Sequence, residues 1–216
     1  MPPRGIVTDS IVAVTIIAFV LALLSGLSDV LPWLGGFISA EFAGNVKNLP
    51  IPQGLEGWKV PASLTPLSAT LLHGGFFHLF SNMLMLLFCG RTVEKVLGGG
   101  SVIFLYVVGA YAAASAHYFS APGQVIPMVG ASGAISGIVG AYAMLFSRSR
   151  AKRIGPIPAH YVHVVWLAVA WAAVNWMLGF AFSANGQQIA VAAHIGGFLA
   201  GLMFARSLLF WRYRNA

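Results

Sequence analysis

Charge is scarce in this chain. Of 216 residues only 8% are Asp, Glu, Lys or Arg, against about 25% in an ordinary soluble domain. So few charges cannot solvate a globular surface, which excludes a soluble protein and predicts a polytopic membrane protein. Acids are scarcer still: Asp9, Asp29, Glu41, Glu56 and Glu94 are the five. All fall in predicted loops or at helix ends, so no carboxylate is expected at membrane depth. That argues against a proton-coupled transporter, which commonly uses intramembrane acids. The single cysteine, Cys89, excludes an intramolecular disulfide and leaves no second thiol for a zinc site or a c-type haem motif. No convincing small-residue cleavage site follows the first apolar run. A retained first helix is therefore expected, not a signal peptide.

The charge-free stretches are long. They run from Ser10 to Ser28, Val60 to Gly90, Val96 to Ser147 and Ile154 to Ala205. One bilayer crossing needs about 20 apolar residues. The last two stretches each suit two crossings, and each has a Pro- or Gly-containing breaker near its middle: SAPGQVIP at Ser120–Pro127 and SANGQQ at Ser183–Gln188. The pattern predicts an all-α bundle of six transmembrane helices in one membrane domain over 1–216, with helices at roughly 10–28, 66–89, 101–119, 130–147, 161–181 and 189–208.

Twelve Lys and Arg outnumber the acids, but their placement explains them. Arg4, Arg91, Lys95, Arg148, Arg150, Lys152, Arg153, Arg206, Arg212 and Arg214 fall on one side of the predicted bundle, and only Lys47 and Lys59 on the other. By the positive-inside rule both termini are cytoplasmic. The basic balance thus reports membrane topology, and no nucleic-acid partner is expected. The long segment from Asp29 to Ser63 then lies outside. Its Trp33, Phe37, Phe42 and Trp58 suit the membrane interface, and its length suggests function.

The polar residues left inside the predicted helices are His73, His78 and Asn82 on the second helix, His117 on the third, Ser132 and Ser136 on the fourth, Asn175 on the fifth and His194 on the sixth. Counting back from the basic ends gives their depth. His78 is about 20 Å from the level of Arg91, Ser132 about 24 Å from Arg148 and His194 about 18 Å from Arg206. In a core of about 30 Å, all three fall in the outer half. Ser132, Ser136 and Gly140 form a small-residue stripe on the fourth helix; His194, Gly197 and Gly201 form one on the sixth. Small residues let membrane helices approach closely. Packing the two stripes brings Ser132 and His194 together.

A serine hydroxyl needs a base to become a nucleophile, and neutral imidazole suits that role. With no acid at depth, a Ser–His dyad is expected instead of a triad. The backbone N–H of Ser132, near a helix start, has no partner within its own helix, and His78 and Asn82 offer further donors for an oxyanion. Water must reach such a dyad, so a polar cavity open outward, lined by His78, Asn82, Ser132 and His194, is expected.

These motifs resemble the rhomboid family of intramembrane serine proteases. Gly130-Ala131-Ser132-Gly133 matches its GxSG element. Ala193-His194 followed by Gly196, Gly197 and Gly201 resembles its second catalytic signature. His73, His78 and Asn82 fit HxxxxHxxxN, and Glu94 with Gly98 fits ExxxG. The set covers the second to sixth helices in the expected order. The resemblance implies that Ser132 is the nucleophile and His194 the general base. It implies an oxyanion hole of His78, Asn82 and the Ser132 amide. His73, Gly130, Gly133, Gly197 and Gly201 would be structural supports. It further implies cleavage of transmembrane protein substrates near their outer ends, within the lipid bilayer, with neither metal nor cofactor. A bacterial inner membrane suits such a chain. Where many bacterial members have a Trp-Arg pair, this sequence has Leu64 and Thr65; where some have a Tyr four residues after the nucleophile, it has Ser136.

Blander readings stand beside these. A lone membrane serine is usually a packing residue bonded to its own helix. His117, His160 and His163 read as interfacial, Asn175 as an interhelical hydrogen bond, Trp166, Trp171 and Trp176 as packing or lipid contacts, and Cys89 as a buried or interfacial thiol. Two other functions are compatible with the polar set: a non-catalytic rhomboid-like protein that binds membrane helices, and a haem-binding or transport protein using the histidines.

Overall fold

The computed structural model describes residues 5–46, 49–146, 151–183 and 190–214, without the side chains of 176 and 178–183. Arg4, Lys47, Arg148, Arg150, residues 184–188 of the SANGQQ breaker and the Trp176 side chain lie outside what is described. The long helices are α1 (Ile6–Leu24), α2 (Phe76–Leu97), α3 (Gly99–Ser120), α4 (Ser132–Phe146), α5 (Ala159–Ser183) and α6 (Val191–Tyr213). Among the described residues there is no β-strand, in line with the all-α expectation. Four of these helices, α1, α2, α3 and α6, are long and apolar enough to cross a membrane. Two shorter apolar helical stretches accompany them, Ser132–Phe146 and Ala159–Asn175.

At the centre is α4. Its glycines let α3 and α6 approach on either side. A Cβ on Gly137 would lie 2.9 Å from the Leu105 carbonyl oxygen of α3. On the other side, Gly197 faces the carbonyl of Gly133, Gly201 that of Gly137, and Gly140 that of Phe198. Packing is thus backbone against backbone, which only small residues permit. The predicted contact between the two stripes is present. Around it, Leu105, Ile138, Leu86, Phe198 and Leu202 fill the core.

The second helix departs from its expected form. Instead of one helix over 66–89, a short helix at Thr65–Ser68 and a 3-10 turn at Ala69–Leu71 precede a break, and α2 proper starts at Phe76. The break falls at His73-Gly74-Gly75, where Gly75 has φ +156°, a backbone state that side chains resist. The other end runs past Arg91 to Leu97, because the charges that seemed to end it are satisfied. Arg91 pairs with Asp9 at 2.6 Å. Glu94 accepts the Val7 and Thr8 amides at 3.0 and 2.8 Å and the Thr8 hydroxyl at 2.7 Å. These amides begin α1 and have no acceptor within their own helix, so the carboxylate caps α1 from the neighbouring helix. The Tyr213 hydroxyl bonds the Val96 carbonyl at 3.0 Å. The start of α1 and the ends of α2 and α6 therefore meet at one end of the bundle.

At the opposite end the segment between α1 and α2 folds into a layer with short helices at Leu31–Gly35 and Ser39–Phe42. Phe42 and Trp58 are exposed, as an interfacial segment requires. Phe37 is not: it is buried, 2% exposed, between Phe42 and His117. His117, in the last turn of α3, is likewise buried. Phe37 also exchanges backbone hydrogen bonds with Met128, at 3.0 and 2.8 Å. The layer is thereby fastened to the chain that leads into α4.

Candidate active site

Ser132 is the first residue of α4. The approach to Ser132 is fixed residue by residue. Met128 is held by Phe37. The Gly130 amide donates to the Ala69 carbonyl at 2.9 Å, and the Ala131 amide donates to His73 Nε2 at 3.5 Å. Gly130 has φ +117°, and a Cβ there would lie 2.7 Å from the His78 ring. Both facts demand glycine.

His194 comes from the second turn of α6, one turn above Gly197. Its Nε2 lies 2.8 Å from Ser132 Oγ. The other ring nitrogen, Nδ1, lies 2.7 Å from Asn175 Oδ1 of α5. Asn175 is buried, and its amide nitrogen donates to the Trp171 carbonyl at 2.9 Å. The Trp171 indole N–H donates to the His194 carbonyl at 3.2 Å, and the indole stacks on Phe198, with centroids 4.8 Å apart. Ser136 offers nothing to the imidazole; its hydroxyl bonds the Ser132 carbonyl at 2.8 Å.

The remaining predicted residues group around the same helix start. His73 and His78 pack edge to face, 5.1 Å between ring centroids. The Gly74 amide points at His78 Nδ1 from 3.4 Å. Asn82 is buried and donates to the His78 carbonyl at 2.7 Å, so one of its two amide hydrogens stays within its own helix. Ser132, His78 and His194 are half-buried. Gly133 packs on Ala113 of α3. The structure thus gathers Ser132, His194, His78 and His73 around the Gly130–Ser132 turn. The interhelical hydrogen bond expected of Asn175 is present; that its partner is His194, and that Trp171 also holds His194, was not anticipated.

The same elements appear in comparison with known proteins. Residues 63–211 match the Rhomboid domain. The chain belongs to the rhomboid family. It is 29% identical over 212 residues to Rhomboid protease GlpG of Pectobacterium atrosepticum, covering 98% of this chain and 64% of that protein. To Rhomboid protease GluP of Bacillus subtilis it is 31% identical over 165 residues, 76% of this chain and 28% of the relative. To RHOMBOID-like protein 4 of Arabidopsis thaliana it is 31% identical over 179 residues, 82% and 41% of the respective chains. The chain therefore spans less than two thirds of the length of these relatives. Rhomboid membership and four apolar helices of spanning length make it an integral membrane protein. Chemically, this rhomboid site offers a hydroxyl, a base in hydrogen-bond contact with it, and amides at a helix start, which is the donor set of acyl transfer.

Proposed function

We propose that this rhomboid is an intramembrane serine endopeptidase that cleaves transmembrane segments of other proteins near their outer ends. The observation that carries the reading is the 2.8 Å contact between Ser132 Oγ and His194 Nε2, made at the start of α4. In the proposed reaction His194 takes the Ser132 proton as the oxygen attacks a backbone carbonyl of the substrate. The first-turn amides of α4, beginning with that of Ser132, face the developing oxyanion, with His78 and the second amide hydrogen of Asn82 as further donors. His194 then gives the proton to the leaving amine, and water hydrolyses the acyl-enzyme. His73 acts structurally, by holding the Ala131 amide and so the turn that carries Ser132.

The proposal includes one membrane domain over 1–216 with six crossing helices and both termini cytoplasmic. The ten-to-two distribution of basic residues supports that orientation. A bacterial inner membrane fits it.

The test is cleavage of a single-span membrane substrate by purified protein, with Ser132→Ala and His194→Ala alongside and the folding of all three verified. Cleavage by wild type alone supports the reading. A wild type that binds the substrate helix but neither cuts it nor takes a fluorophosphonate on Ser132 would turn the function to capture without catalysis.

A further inference from the structure

An imidazole bonded to a serine is a base only if the nitrogen facing the hydroxyl carries no proton. Nothing on α4 or α6 enforces that state in this protein. The position one turn along from the nucleophile holds Ser136, whose hydroxyl is engaged with the Ser132 carbonyl. Among the described residues no carboxylate hydrogen-bonds the His194 ring, whose partners are Ser132 and Asn175. Among the described residues, the groups outside α6 that hydrogen-bond His194, besides Ser132, come from α5.

Those groups settle the proton's position in a definite order. The Trp171 carbonyl can only accept, so the Asn175 atom 2.9 Å from it is the amide nitrogen. The Asn175 oxygen then faces His194 Nδ1 at 2.7 Å. An amide oxygen cannot donate, so Nδ1 carries the proton. A neutral ring has only one N–H, so Nε2 presents its lone pair to the Ser132 hydroxyl at 2.8 Å. Burial of Asn175, 4% exposed, removes competing water from this relay. Trp171 closes it from the other side: its indole N–H holds the His194 carbonyl at 3.2 Å, and its stacking on Phe198 fixes the indole. One turn of α5 therefore grips both the ring and the backbone of one residue on α6.

We infer that Asn175 is the positioning residue of this site: it holds His194 in the Nδ1–H tautomer and aims Nε2 at Ser132, with Trp171 fixing Asn175 and the His194 backbone. The inference rests on the reading of Ser132 and His194 as nucleophile and base. It assigns to a neutral amide on a different helix the role an acid plays in a Ser–His–Asp site.

Two variants and one spectrum test it. Asn175→Leu keeps the size and cannot accept a hydrogen bond; Asn175→Asp can. A positioned base contributes about 10²–10⁴ to rate, so loss of its orientation is expected to lower kcat about 10- to 100-fold in Asn175→Leu, with KM unchanged. Asn175→Asp is expected to recover kcat to within a few-fold of wild type. Nitrogen-15 imidazole spectra of the wild type, with His194 assigned by its loss in His194→Gln, are expected to show the Nδ1–H tautomer. A wild-type kcat in Asn175→Leu overturns the inference. So does equal damage in a folded Asn175→Asp, or an Nε2–H tautomer in wild type. The spectrum needs no substrate. If wild type cuts nothing, the proteolytic reading fails while the tautomer still decides the role of Asn175.

Discussion

Substitution of Gly201 by Ala gives the sharpest view of how this bundle is held together. A methyl group there would overlap the Gly137 carbonyl oxygen and lie 2.8 Å from its carbon and 2.9 Å from the Ala141 nitrogen. All three are backbone atoms of α4 and cannot rotate aside, so α6 must move away. Carbon atoms prefer separations of about 3.5–4.0 Å, so the shift is on the order of 1 Å. Overpacking of this kind costs about 1–3 kcal/mol, here at the upper end. Replacing a helical glycine returns up to about 1 kcal/mol. The net loss is about 2 kcal/mol, which in a chain of this size lowers Tm by about 4–8 °C. Gly100→Ala is the control, because nothing lies within 4 Å of a Cβ at that position; its Tm is expected to equal or slightly exceed that of wild type. The assay is paired thermal unfolding in one detergent at one scan rate, with cleavage measured on the same samples. Gly201→Ala is also expected to cleave more slowly, because displacing α6 lifts His194 from Ser132. A Gly201→Ala protein that unfolds with wild type and cleaves at full rate would refute the close-packed α4–α6 contact.

Other perturbations separate support from chemistry. Glu94→Gln removes the charge from three hydrogen bonds to the start of α1 and is expected to cost about 1–3 kcal/mol in stability, seen as a lower Tm with unchanged activity per folded molecule. Arg91→Ala, which breaks a partly exposed pair with Asp9, is expected to cost no more than about 1 kcal/mol. Phe37→Ala empties a buried site in the outer layer and is expected to cost about 3–5 kcal/mol; it also slackens the Met128 tether, so cleavage at a permissive temperature should fall. If His194 is the base, it must be neutral, so the cleavage rate is expected to decline on the acid side, while the residual rate of His194→Ala is expected to lack that decline.

Much of the site was legible because it follows helical spacing. Ser132, Ser136 and Gly140 repeat every fourth residue, and His194, Gly197 and Gly201 fall on one face, so their meeting followed from period and size alone. The depth count from the basic ends placed His78, Ser132 and His194 at one level. Asn175 read as an interhelical hydrogen bond, which the 2.7 Å contact with His194 bears out, but the sequence did not name the partner. Because α5 is apolar around its whole circumference, no stripe in the sequence says which way it faces, and the pairing with His194 depends on that rotation. The break at His73–Gly75 was signalled by two glycines but masked by the apolar residues around it. The extension of α2 to Leu97 was hidden for a different reason: Arg91 and Glu94 read as chain leaving the membrane, whereas both are satisfied by α1. Phe37 looked like its exposed neighbours Phe42 and Trp58, and only its backbone pairing with Met128 turns it inward.

The most direct test of the central claim is fluorophosphonate labelling of the purified protein in lipid bilayers, with the adduct located by peptide mapping. The account predicts a single adduct on Ser132 in wild type and its loss in a folded His194→Ala variant. An unlabelled wild type, or labelling of Ser132 that persists at the same rate without His194, would contradict it.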